Sequence, residues 1–199
     1  MSNMFTPAPD EFRKLPKVEL HRHLEGSLRL QTMLDVARKH GMTMPANVVR
    51  LSRLVQVQDE DNFTFDNFLS KFNTLRMFYR SPEVIDRITY EAIEDAAKDN
   101  VRYLELRFTP VALSRAERFP LEDVTDWVVK AAKNAAKKYG VIVRLIVSVN
   151  RHEPLELAEQ VAWLAAERIN DGIVGLELHH RPDDDSQRFQ FVFENPVDF

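Results

Sequence analysis

Four short β-branched runs, each separated from the next by a stretch with helical periodicity, constrain this chain more than any other feature. They are "VELHRH" (18–23), "VRYLELRFTP" (101–110), "VIVRLIVSVN" (141–150) and "IVGLEL" (173–178). Strands that alternate with helices of this length build β/α units and a parallel sheet. Side chains on a strand repeat every two residues. In the first run this rule places Val18 and Leu20 on one face and Glu19, His21 and His23 on the other. In the second it separates Leu104, Leu106 and Phe108 from Tyr103, Glu105 and Arg107. The third is buried on both sides by its composition. The fourth sets Val174, Leu176 and Leu178 against Gly175 and Glu177.

Two parallel architectures compete: an open doubly wound sheet and part of a (β/α)8 TIM-type barrel. An open sheet covered on both faces needs both faces apolar. Here every strand carries polar groups opposite its apolar ones, and no glycine-rich phosphate loop follows the first strand. The pattern therefore favours a partial barrel: about four parallel strands with crossover helices. Leu30, Met33, Leu34 and Ala37 mark a helix, with Ser27 as the expected N-cap and Gly41 as the stop. Further helices are expected from about Phe65, from Ser81-Pro82 to about Asp99, from Leu121 to Tyr139, and from Pro154 to about Asn170. Residues 42–59 read as irregular. Residues 1–16 form a lead-in with one helical turn near Asp10–Leu15, 17–178 the barrel portion, and 179–199 a divergent tail.

His21 and His23 lie two apart near the C-terminal end of a strand, which is where barrel active sites form. Both rings then aim into one space. Neutral imidazoles bind Zn²⁺ and similar ions well, although spacing alone leaves a metal pair and two idle histidines equally open. The chain has no cysteine, so any metal must be held by His, Asp or Glu. That composition also suits a reducing cytoplasm. Net charge is −4 with both signs well mixed, which argues against a nucleic-acid or membrane surface. No apolar run reaches membrane-span length, and the N-terminus lacks a signal-peptide core.

"LPKVELHRHLEGSLR" (15–29) resembles the opening signature of the adenosine deaminase family of amidohydrolase barrels. "FDNFLSKF" (65–72), "VRYLELRFTP", "VRLIVSVNRHEP" (143–154) and "GIVGLEL" (172–178) resemble its later motifs in family order. The resemblance covers roughly residues 12–178. It implies zinc-assisted hydrolytic release of ammonia from C6 of a purine or purine nucleoside, with the ion lowering the pKa of its bound water. His21 and His23 would bind one Zn²⁺, Glu25 would contact the sugar or base, and Phe68, Leu69 and Phe72 would line an apolar gate. Glu25 stands where adenosine-specific members usually carry Asp, which suggests adenine or aminodeoxyfutalosine as the ligand.

The family's catalytic acid, third metal histidine and last metal aspartate belong to later strands. No such segments follow Leu178. The expectation is a truncated member with no catalytic residue of its own and little or no activity. The competing readings are a non-catalytic fragment or defective paralogue, and an amidohydrolase acting on another amine or amide. His179, His180 and Asp183–Asp185 read as a solvated tail rather than a new metal site. Arg107 and Arg151 read as structural ion pairs. His40 suits a helix C-terminus and takes no role; His152 is left open. Strands one and four would be open edges that invite self-association.

Overall fold

In the computed structural model of the chain, the described residues are 10–62 and 64–179. A short helix α1 (Asp10–Lys14) leads into β1 (Lys17–His23) and a 3-10 turn (Leu24–Gly26). Helices α2 (Leu30–Lys39), α3 (Val48–Val55), α4 (Phe65–Arg76) and α5 (Pro82–Lys98) precede β2 (Val101–Phe108). Then come α6 (Pro110–Ser114), α7 (Leu121–Tyr139), β3 (Ile142–Asn150), α8 (Leu155–Glu167), a second 3-10 turn (Ile169–Asp171) and β4 (Ile173–His179). The strands form one parallel sheet in the order β1-β2-β3-β4. No helix among the described residues is long and apolar enough to cross a membrane.

Local chemistry explains most element boundaries. Ser81 accepts a hydrogen bond from the Val84 N–H at 3.3 Å, and Pro82 fills the first turn of α5, where its missing N–H costs nothing. Gly140 ends α7 at φ +66°, a left-handed conformation that glycine adopts without strain. Residues 42–59 are not irregular throughout. Asn47 caps α3 by accepting from the Val49 and Arg50 N–H groups, and Leu51 and Val55 are buried. Ser27 is not the cap of α2. It closes the preceding turn by donating to the His23 carbonyl at 2.7 Å, and α2 begins at Leu30 without a side-chain cap.

Leu104, Leu106, Phe108, Leu145 and Val147 point from the sheet into a core shared with Ile85, Ile88, Val124, Val128 and Val161. Each fully buried side chain of this size contributes roughly 1.5–3 kcal/mol relative to exposure. The opposite face is mixed. Its polar members include Tyr103, Glu105, Arg107 and Glu177, while Val18, Leu20, Ile142 and Val174 are large apolar residues left more than half exposed. The sheet curls around this face. His21 on β1 comes within 3.7 Å of Glu177 on β4, although two strands lie between them. In a flat sheet those strands would stand roughly 14 Å apart. Curling of this kind is what a barrel wall requires.

The sheet has three register shifts, one of them between Lys17 and Val18 at the start of β1, and the other two alter the expected faces. Glu19 pairs with Leu104 and Arg22 with Leu106, so two residues of β1, Leu20 and His21, oppose the single Glu105 of β2. This bulge reverses the alternation. Glu19 therefore does not share a face with the histidines. It accepts from Arg22 Nε at 2.8 Å, and Arg22 also donates to the Ala92 carbonyl of α5. A second shift, between Leu145 and Ile146 of β3, buries Ile173 and leaves Val174 54% exposed. Nor is β3 buried along its whole length. Ile142 and Arg144 are exposed, and burial on both faces begins only in its C-terminal half.

Behind the sheet, Arg29 donates to Glu94 and Asp95 of α5. Arg29 first, then the Tyr139 hydroxyl at 2.8 Å, holds the Glu94 carboxyl down to about 2. A folded-state value below the unfolded one stabilises above the unfolded value and is lost as pH falls. Unfolding free energy from urea titrations should therefore decline from about pH 4.5 toward pH 2. Arg29→Met should flatten that decline, and an unchanged slope would rule out this linkage.

Candidate active site

The C-terminal ends of β1, β2 and β4 and the 3-10 turn after β1 bring their polar side chains together. His21 and His23 lie with ring centroids 4.9 Å apart and planes at 64°. Plain alternation puts the two rings on one face, and the bulge removes Glu19 from it to the helix side. His23 is paired in register with Arg107 of β2. Its Nδ1 lies 3.3 Å from Arg107 Nη1. Burial first, then the Arg107 guanidinium, lowers the His23 pKa below its usual value, so the ring is neutral at pH 7.

Glu25 is 1% exposed. One carboxylate oxygen accepts the Thr109 N–H at 2.8 Å; the other lies 3.8 Å from Arg107 Nη1 and has no hydrogen-bond partner among the described residues. Arg107 is itself only 4% exposed and donates through Nε to Glu177 at 2.9 Å. Thr109 and Ser148 hydroxyls meet at 2.8 Å below this layer. Tyr79 is fully buried with an unpartnered hydroxyl, and burial, then the negative Glu25, pushes its pKa up. Arg76 Nε and Arg107 Nη2 are also buried without partners. A buried polar atom left unpaired costs about 1–3 kcal/mol. Several of them gathered around one carboxylate mark a place suited to a polar ligand.

The predicted gate lies on α4, which packs beside the turn that carries Glu25. Phe68 and Phe72 stack edge to face at 5.3 Å, with Phe68 exposed, Leu69 half-buried and Phe72 against the core. The sequence missed Thr109, Tyr79, Arg76 and the bridging role of Glu177. A threonine after a strand and a tyrosine at a helix end give no chemical signal until the topology places them. Arg107 is an ion pair, as read. Arg151 Nε is buried and has no hydrogen-bond partner among the described residues. His40 caps α2, with a buried, unpartnered Nε2. His152 is half exposed on the turn after β3, 3.5 Å from Glu153. His180 and Asp183–Asp185 lie outside the described residues, as does nearly all of the expected tail. Among the described residues no three His, Cys, Asp or Glu side chains are grouped to hold a metal ion.

Comparison with known proteins agrees with this geometry. The family model for adenosine deaminase matches residues 16–195. An adenosine deaminase of Vibrio vulnificus is 36% identical over 164 residues, covering 82% of this chain and 49% of its own length. An amidohydrolase of Burkholderia ambifaria, solved with bound Zn, superposes with a TM-score of 0.75 at 27% identity, covering 89% of this chain and 48% of that one. Arabidopsis ADAL in complex with GMP superposes with a TM-score of 0.77 at 26% identity, covering 94% and 56%. The chain spans about half the length of the curated relatives it matches, and its curled parallel sheet is the corresponding portion of their barrel. On the match across most of its residues and the shared fold, the chain belongs to the adenosine deaminase family.

Proposed function

We propose that this chain carries the N-terminal part of the active site of a metal-dependent purine or purine nucleoside deaminase. His21 and His23 are the residues that would hold the zinc ion, Glu25 the contact to the sugar or base, and Phe68, Leu69 and Phe72 an apolar wall. The observation that carries this reading is the buried Glu25 carboxylate. One of its oxygens is fixed by Thr109, and the other, 3.8 Å from Arg107 Nη1, has no hydrogen-bond partner among the described residues. Such a group is oriented in advance and left unsatisfied, which is what a ligand donor would complete. The Zn bound by the Burkholderia relative and the GMP bound by Arabidopsis ADAL support the metal and the purine class.

The donor set does not fit a bound ion as it stands. Two imidazoles are present, no third ligand joins them among the described residues, and the His23 Nδ1 faces an arginine. No reaction step is therefore assigned to a metal here. This observation also favours the second reading, a chain that binds purine without turning it over.

Calorimetric titration of the chain with adenosine, adenine, aminodeoxyfutalosine and GMP tests the proposal, beside an absorbance assay for ammonia release with added zinc. Weak purine binding that Glu25→Gln reduces about tenfold is expected, with little turnover. A folded chain that binds none of them would overturn it. The end strands β1 and β4 and the exposed Val18, Leu20, Ile142 and Val174 further lead us to expect self-association of the isolated polypeptide. Sedimentation velocity across a concentration series checks this, and a monomer at every concentration would refute it.

A further inference from the structure

Phe68, Phe72 and Arg76 follow one another at intervals of four along α4 and so line one side of the helix. The apolar wall thus ends in a guanidinium. Arg76 Nε is buried and has no hydrogen-bond partner among the described residues. The same holds for the hydroxyl of Tyr79, three residues further on and 0% exposed, and for Glu25 Oε2. These groups act on one another. Burial lowers the Arg76 pKa; Glu25 and Tyr79 raise it, while Arg115 and Arg107 lower it further. Burial first, then the negative Glu25, pushes the Tyr79 hydroxyl up.

The unmet bonds define what completes them. Arg76 Nε is a donor that needs a lone pair, Glu25 Oε2 is a carboxylate acceptor that needs a hydrogen, and a phenol hydroxyl serves in either sense. One hydroxyl supplies both at once: a lone pair for Arg76 and an O–H for Glu25. An anion supplies lone pairs alone and meets Glu25 as a like charge. Nor is there surplus positive charge to draw one in. Arg107 is paired with Glu177 at 2.9 Å and Arg115 with Glu153 at 3.0 Å, which leaves Arg76 to balance Glu25. Resting on the purine reading above, we propose that Arg76 and Tyr79 are specificity-determining residues. With Glu25 they hold one uncharged hydroxyl on the sugar of a purine nucleoside. They disfavour the free base, which lacks that hydroxyl, and a phosphate in its place.

Calorimetric titrations of the 199-residue chain with adenosine, adenine and AMP, at one ionic strength, read this preference. Adenosine is expected to bind about tenfold tighter than either of the others, the scale of one hydrogen bond to a charged group. Arg76→Met removes the donor and should erase most of that preference. Tyr79→Phe removes a single oxygen from a buried ring, keeps the fold, and should narrow it as well. Each ratio compares ligands on the same folded variant, so a change in stability alone does not move it. Equal binding of adenosine and adenine by the wild type overturns the hydroxyl contact and leaves the purine reading in place. AMP bound tighter than adenosine overturns it too, because the cluster would then be taking an anion. So does an undiminished adenosine preference in both variants. A folded wild type that binds none of the three overturns the inference together with the purine reading.

Discussion

Alanine at His21 or at His23 is expected to weaken Zn²⁺ uptake by the chain at least about 100-fold. Outer contacts to a ligating imidazole already alter affinity by roughly 10–100-fold, and removing the imidazole itself must cost no less. The two rings stand 4.9 Å apart on one strand, so the strand alone holds them side by side without ordering any loop. A single ring left behind binds zinc no better than an ordinary surface histidine. His152→Ala is the matched control. His152 is half exposed, lies on the turn after β3 and leans on Glu153 rather than on the pair. Chelator competition should show its affinity unchanged. A loss at His152 equal to that at His21 would mean that zinc binds somewhere else on the chain.

The parts of this site differ sharply in how legible they are from sequence. The strands can be read because burial on one face forces Leu104, Leu106 and Phe108 into strict alternation. The histidine pair can be read because two residues apart on a strand means one direction. The bulge in β1 cannot. "VELHRH" alternates without a flaw, and only the pairing of Leu20 and His21 with the single Glu105 of β2 separates Glu19 from the histidines. Helix α3 did carry a signal, an asparagine cap before Leu51 and Val55, but eight residues are too few for periodicity to stand out. The contact between Arg107 and Glu177 spans 70 residues and exists only because the sheet curls. What chemistry dictates locally is visible in the text. What depends on register between strands is not.

Register also explains why Glu25 should matter for stability before it matters for any ligand. Its carboxylate is the acceptor for the buried Thr109 N–H and a counter-charge for Arg107, and all three groups are almost wholly shielded from water. Glu25→Ala strands the Thr109 N–H and removes a counter-charge of Arg107 at once. Removing one member of a buried charged pair costs about 3–5 kcal/mol. Glu177 shares the compensation of Arg107, so the lower end, about 3 kcal/mol, is expected in urea unfolding. Glu25→Gln keeps an oxygen for Thr109 and gives up only the charge, so it should cost roughly 1 kcal/mol. The difference between the two variants isolates the anchor from the ligand contact. If Ala and Gln are equally mild, the Thr109 hydrogen bond is not holding the turn. If Gln is as damaging as Ala, the charge facing Arg107 outweighs it. Only the ordering Ala well below Gln, with Gln near wild type, leaves a folded chain in which loss of purine binding can be charged to the free carboxylate oxygen itself.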